Sequence, residues 1–187
     1  KAGHLRRQPI YVGGLGYVFT EIYDLEAHRA HRQHQNLRLT EALNLVVLDS
    51  GQAESMKLSG GRIFVVTAGM MTEHTAAHDL ALRLMQDERH AIFFVGYADP
   101  DTPGGRLKAA KPGEKFLFSP SAGEVTRRCE VRDFDLTAHA LREDLLEFAV
   151  GVAPRVVLLG HGDAEARQWF AEQIKTRLPR TRIIQPE

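Results

Sequence analysis

Two histidines stand where apolar runs stop. In "VVLLGHGD" (156–163) His161 follows a run of the kind that forms a buried strand, and Gly162 and Asp163 open a helix-like stretch. In "FDLTAHALREDLLEF" (134–148) His139 occupies a similar strand-to-helix transition ahead of an acidic helix. A histidine in such a place either hydrogen-bonds a carbonyl of its own fold or acts as a metal ligand or proton carrier. Two of them at the carboxyl ends of neighbouring segments suggest one shared site. "VVTAGMMT" (65–72) adds a small-residue turn between a strand and a helix start. N–H groups there can face an anion held above the strand's carboxyl end, the edge where open α/β sheets bind ligands. A plain structural turn is the alternative.

The remaining candidates carry less chemistry. "HRAHRQH" spaces His28, His31 and His34 three apart, so they drift around a helix, with Arg29 and Arg32 between them. That reads as a solvated face. His74 and His78 are four apart, the spacing that puts two imidazoles on one helical face, but only Asp79 stands near as a third ligand, so exposure is the plainer reading. "YVGGLGYVF" (11–19) has glycines between a strand and a helix, yet Phe19 stands where the dinucleotide fingerprint wants a small residue. A tight turn suffices to explain it. The single tryptophan, Trp169, shares a helical pattern with Phe170 and Ile174 and reads as core.

The elements that must position these residues follow from the apolar runs. "IYV" (10–12), "LVVL" (45–48), "IFVV" (63–66) and "IFFV" (92–95) have the continuous apolar character of buried parallel strands. Residues 19–43 and 72–86 carry helical patterns, the second with Thr72 as N-cap. Strands alternating with helices predict a parallel sheet covered on both faces. Beyond residue 111 the texture changes to "KPGEKFLFSPSAGE" and the exposed-strand alternation of "VTRRCEVRDFDL", then returns to helix, strand, helix and a final "RII". The expected boundary lies near 118.

Composition bounds the classes. With 187 residues, 43% hydrophobic and 26% charged, the chain is an ordinary globular one. Its 24 basic and 24 acidic residues cancel, so any polyanion site is local rather than global. Cys129 is the only cysteine, which excludes a disulfide framework and fits a reducing cytoplasm. The densest apolar run, "AIFFVGYA", is too short to span a membrane. The chain begins at Lys1 and runs almost at once into a strand, so it is expected to be a piece of a longer protein.

Taken in order, these segments resemble the second half of the metallo-β-lactamase-fold nucleases that carry a β-CASP domain, the group containing the cleavage and polyadenylation endonuclease and ribonuclease J. "PIYVGGLG" looks like the family's early strand and turn. "IFVVTAGMMT" looks like its "ASSGM" element, with Ala68 for serine. "IFFVGYADPDTPGGRL" is similar to "GYQ…GTxGRRL" at Gly96, Tyr97, Thr102, Gly104, Arg106 and Leu107, departing at Ala98 and Gly105. "LTAHALREDLL" looks like "SAHADRDDLL", with His139 on its histidine and Leu141 for its aspartate. "LLGHGDAEA" is similar to "VHGE", with His161 on the histidine and Asp163 for glutamate.

The resemblance implies an α/β fold: a parallel-sheet α/β/α β-CASP domain over 1–118, then a smaller α/β segment over 119–187 that completes a metallo-β-lactamase domain. It implies a parent enzyme that hydrolyses phosphodiester bonds in RNA, or in single-stranded DNA, with two zinc ions. His161 would be a zinc ligand, His139 the catalytic histidine beside the scissile phosphate, and Ala68, Gly69, Met70 and Arg106 the phosphate-binding residues. The family's main ligand string, histidine-x-histidine-x-aspartate-histidine, is absent from this sequence. One ligand does not hold a catalytic zinc, so the fragment is expected to bind no zinc tightly and to be inactive alone. Its expected partners are RNA, the missing N-terminal half of the same protein and a second copy of itself, with no membrane. Two other readings stand beside this one: a β-CASP scaffold that binds RNA or protein without cutting, and an unrelated α/β phosphate-binding domain.

Overall fold

The computed structural model describes residues 8–29, 37–58, 60–134, 136 and 139–186. The chain divides into two compact units, Lys1–Thr137 and Ala138–Glu187.

In the first unit, β1 (Ile10–Gly13) lies between β2 (Leu45–Leu48) and β3 (Ile63–Val66), all parallel, with Ile10 opposite Leu45 and Ile63. A second parallel ladder pairs β4 (Ala91–Phe94) with β7 (Glu130–Asp133). Between them in sequence, β5 (Lys115–Ser119) and β6 (Gly123–Thr126) form an antiparallel hairpin. The four apolar runs form strands, the last beginning one residue earlier than its pattern suggests. The alternation of "VTRRCEVRD" is not one strand. Its middle is pulled aside because the amides of Arg128 and Cys129 both donate to the Met85 carbonyl, at 2.7 and 3.0 Å.

The helices differ from expectation at their ends. α1 (Leu15–Leu25) begins at the glycine turn and gives way to one 3₁₀ turn, Glu26–His28, and the short α2 (Leu39–Ala42) follows. His31 and His34 lie outside the described residues; His28 is exposed. Buried Asp24 fixes the return: its carboxylate accepts from the Leu39 and Thr40 amides at 2.9 and 2.8 Å, satisfying first-turn N–H groups of α2. After α3 (Ser50–Ser55), α4 spans Ala76–Leu84, and its cap is Thr75 rather than Thr72. Thr75 Oγ1 accepts from the His78 amide at 3.2 Å and itself donates to the Thr72 carbonyl at 2.7 Å. α5 is Pro103–Ala109.

The core lies on one face of the two ladders. Met85, Leu107, Phe118 and Cys129 are essentially inaccessible and pack with Phe94, Val66 and Val131. Each large apolar side chain so buried contributes about 1.5–3 kcal/mol relative to exposure. Because Val66 and Phe94 point into the core, Val65 and Phe93 point away from it, and they are 50% and 56% exposed. α1 shields the middle strand of that face, where Val12 is buried.

In the second unit, α6 (Arg142–Val152) and α7 (Ala164–Arg177) pack against each other, with Arg177 of α7 ion-paired to Glu147 of α6, and β8 (Val156–Leu158) and β9 (Arg182–Ile184) form a parallel pair. Ile174 is fully buried, as the helical pattern predicts. Trp169 is only half-buried: its ring meets Phe170 edge-on at 5.0 Å, and the Arg142 guanidinium lies 4.7 Å from its centroid.

Candidate functional site

The turn 67–71 leaves β3 and is held from below by α5 and the loop before it. The Gly104 amide donates to the Met70 carbonyl at 3.0 Å. Asp99 donates its amide to Met70 Sδ at 3.3 Å. Thr102 caps α5, its Oγ1 accepting from the Gly105 amide at 3.2 Å and donating to the Asp99 carbonyl at 2.6 Å. Two glycines make this approach feasible. A Cβ on Gly104 would lie 2.0 Å from the Gly69 carbonyl oxygen, and one on Gly105 would lie 2.0 Å from the Asp99 carbonyl oxygen. Ala68 and Gly69 are left exposed, Met70 is half-buried and Met71 is buried. Met71 and His74 have φ of 52° and 65°, so the backbone beyond the turn holds two non-glycine residues in the left-handed region. Helix α4 therefore starts five residues after Met71, and the turn does not run straight into a helix start.

Arg106 supports this arrangement from within the fold. Its two terminal nitrogens donate to the carbonyls of Asp101, at 2.7 Å, and Phe118, at 3.3 Å, tying the loop before α5 to the end of β5. Arg83 and Arg127 are used the same way: the first donates to the carbonyls of Ala53 and Met56, the second to those of Ala110 and Cys129.

His78 is buried, 4% exposed, and not part of a solvated face. Its Nδ1 is hydrogen-bonded to Asp79 Oδ1 at 3.1 Å and its Nε2 to the Ser119 hydroxyl at 3.0 Å. The ring also stacks on Phe118 at 5.0 Å. Glu73 extends the fastening, accepting the Ser121 amide at 2.7 Å, and hydrogen bonds from Ser121 hold its carboxyl below the ordinary carboxylate value. Aspartate, histidine and serine in that order have the atoms of a nucleophile relay. Ser119 is 0% exposed, however, so no substrate reaches it, and the chain of bonds pins the β5–β6 hairpin to α4. Nothing local in the sequence announces this network, since His78 and Ser119 are 41 residues apart.

In the second unit both histidines are exposed and precede helices. His139 lies two residues before the Leu141 N-cap of α6. His161 follows β8, whose pairing runs one residue further through the Leu159 amide to the Ile184 carbonyl, at 2.9 Å. Gly162, with φ of 103°, then turns the chain into the Asp163 N-cap of α7. Neither helix is capped by a side chain. Among the described residues no group of three or more histidine, cysteine, aspartate or glutamate side chains could hold a metal ion. The donors present here do not by themselves fit a catalytic zinc, which takes three protein ligands.

Parallel ladders with helices in the first unit, followed by a smaller α/β unit with a histidine before each of its helices, define an α/β protein. Residues 1–107 match the Beta-Casp domain, and residues 124–184 match the Zn-dependent metallo-hydrolase RNA specificity domain. The chain belongs to the β-CASP family. It is 27% identical over 180 residues to RNase aCSPSF2 of Saccharolobus solfataricus, covering 96% of this chain and 34% of the relative. It is 26% identical over 161 residues to Probable RNase MJ4 of Methanocaldococcus jannaschii, covering 83% of this chain and 35% of the relative. The chain thus spans about a third of the length of these curated relatives.

Proposed function

We propose that these 187 residues are the β-CASP and C-terminal part of a zinc-dependent nuclease that cleaves RNA, and that they are inactive without the rest of the parent protein. The observation that carries the reading is the succession of the two family domains along the chain, with His139 and His161 each ahead of a helix in the second. In this reading the sequence from 119 onward completes a metallo-β-lactamase domain. His161 supplies one ligand of a zinc centre whose other ligands lie in the missing half, and His139 stands beside the scissile phosphate. The Ala68–Met70 turn contributes to holding substrate phosphate, with Arg106 keeping the loop beneath it in place. The buried, unpaired Cys129 fits a reducing cytoplasm, and no helix among the described residues is long and apolar enough to cross a membrane.

The test is reconstitution. The 187-residue chain should neither retain stoichiometric zinc through dialysis nor cut RNA, whereas the parent protein with its upstream half should cut RNA and lose that activity on His161→Ala. Zinc held one per chain by the fragment, or full activity in the histidine variant, sinks the assignment. A non-catalytic scaffold is favoured by one observation: Leu141 leaves the His139 helix without the side-chain cap that the family's aspartate could provide. A parent sequence lacking the histidine-aspartate ligand string would decide for the scaffold.

A further inference from the structure

The chain carries no net charge, yet "KTRLPRTR" (175–182), from the end of α7 to the start of β9, holds four basic residues and no acid. Folding brings Arg155 beside them. An open cavity of about 350 Å³ lies where α6 gives way to β8 and α7 to β9, lined by Arg155, Arg177 and Arg180 together with Pro154, Leu178 and Pro179. These residues precede β8 and β9, whereas His161 follows β8, so cavity and histidine stand at opposite ends of one ladder. We propose that the cavity anchors the phosphate backbone of single-stranded RNA away from the His161 end; the inference rests on the reading that the parent protein acts on RNA.

Arginines elsewhere in the chain are engaged by the fold. Arg83, Arg106 and Arg127 donate to loop carbonyls, and Arg89, Arg132 and Arg142 are ion-paired. At the cavity the loop carbonyls already have other donors: the Thr181 hydroxyl donates to Pro154 at 2.7 Å, the Thr181 amide to Leu178 at 3.0 Å, and Lys175 Nζ to Pro179 at 3.4 Å. Arg155 and Arg180 are exposed, and among the described residues their guanidinium groups make no hydrogen bond, ion pair or ring contact. Glu147 pairs with Arg177 and offsets that charge, so the cavity keeps the charges of Arg155 and Arg180. A guanidinium fork matches two phosphate oxygens at once. Pro154, Leu178 and Pro179 add apolar surface between the charges, and a lining of that mixture fits a nucleotide, with its charged phosphate and apolar sugar and base faces, better than a bare anion.

Fluorescence anisotropy of a labelled oligouridylate of about twelve nucleotides, titrated with the 187-residue chain, tests the site without zinc or cleavage. Arg155→Ala with Arg180→Ala is expected to weaken binding about tenfold or more and to reduce the slope of log Kd against log salt by about 1.4, the loss of two single-strand phosphate contacts. Arg155→Lys with Arg180→Lys keeps the charge without the fork and should restore the slope but not the whole affinity. Arg128, exposed in the first unit, is the control, and Arg128→Ala should bind as the wild type does. Wild-type binding by the double alanine variant, or an equal loss in Arg128→Ala, overturns the proposal. Displacement of the oligonucleotide by inorganic triphosphate or by polyglutamate at matched charge also overturns it, assigning the arginines to a free polyphosphate or to an acidic protein segment. Crosslinking with a 4-thiouridine oligonucleotide is independent of the variants: adducts are expected on residues 153–155 or 178–181, and adducts confined to the first unit sink the site. In a parent that cleaves RNA, the double alanine variant should raise KM and leave kcat; an unchanged KM removes the anchor and leaves the nuclease reading. A parent that lacks the zinc-ligand string but still binds RNA through these arginines removes the nuclease reading and supports the anchor.

Discussion

Gly104→Ala should unfasten the turn proposed to face substrate phosphate, and the structure sets the size of the effect. The new methyl would lie 2.0 Å from the Gly69 carbonyl oxygen, and 3.1 Å from the carbonyl carbons of Gly69 and Met70, all of them backbone atoms. Relieving the first contact needs a movement of about 1.5 Å to reach ordinary contact distance. The same movement stretches the Gly104 amide away from the Met70 carbonyl, a hydrogen bond of 3.0 Å. The lost bond is worth about 1 kcal/mol and the crowding about 1–3 kcal/mol, which together give a destabilisation of roughly 2–4 kcal/mol. Urea unfolding followed by far-UV circular dichroism should show a lower midpoint at unchanged slope. Gly151→Ala is the control, because nothing lies within 4 Å of a Cβ there and the residue is in helix α6; it should stabilise by about 0.5–1 kcal/mol. If Gly104→Ala left the midpoint where it was, the turn could not be resting on α5 as described, and the argument that positions Ala68–Met70 would fail.

Three further outcomes are expected. Ala153 caps α6 in the left-handed region, φ 47° and ψ 53°, so Ala153→Gly should raise stability by about 0.5–1 kcal/mol in the same titration, relief of the strain outweighing the added freedom of the unfolded chain. Leu141→Asn places a side-chain acceptor at the bare N-cap of α6 and should slow amide hydrogen exchange in its first turn, consistent with a gain of about 1 kcal/mol; unchanged exchange counts against Leu141 as the cap position. Hydrogen bonds hold the carboxyls of Glu73, from Ser121, and Glu143, from Arg142, below their ordinary values, so the stability they contribute is present above pH of about 4.5 and is lost as pH falls through the lowered values. Glu73→Gln should therefore flatten the acid side of the stability curve, and an unaltered acid limb would show that the Ser121 contact does not survive in solution.

What the sequence disclosed and what it withheld separate by range. The strands were legible because continuous apolar runs bounded by small residues have few other uses, and β2 and β3 coincide with "LVVL" and "IFVV". The helix start at Thr75 was not, because Thr72 offers the same hydroxyl in the same short stretch and the choice is made by a left-handed residue, His74, placed between them. His78 looked exposed since its partner Ser119 arrives from another element. The hydrogen bonds of Arg106 were hidden for a related reason: the carbonyls that engage it, Asp101 and Phe118, reveal their need for a donor only once the chain is folded.

The departures from the family pattern therefore differ in kind. Gly105 replaces a family arginine, and the fold has closed over the change: the Asp99 carbonyl occupies the space a Cβ would need, while Thr102 still caps the helix through the Gly105 amide. An arginine restored there would have to displace backbone, so Gly105 and the loop 99–102 form one packed unit. Leu141 replaces a family aspartate, and nothing fills its role: the cap has no side-chain bond and the leucine is 64% exposed. The turn 67–71 thus rests on a helix whose Gly105 is closely packed, whereas the helix after His139 starts on an exposed leucine with no side-chain cap. If the scaffold reading is correct, its decay should lie on the His139 side, and restoring Leu141→Asp in the parent protein should leave RNA cleavage absent. If the nuclease reading is correct, the same change should raise the stability of α6 while cleavage, already present, persists.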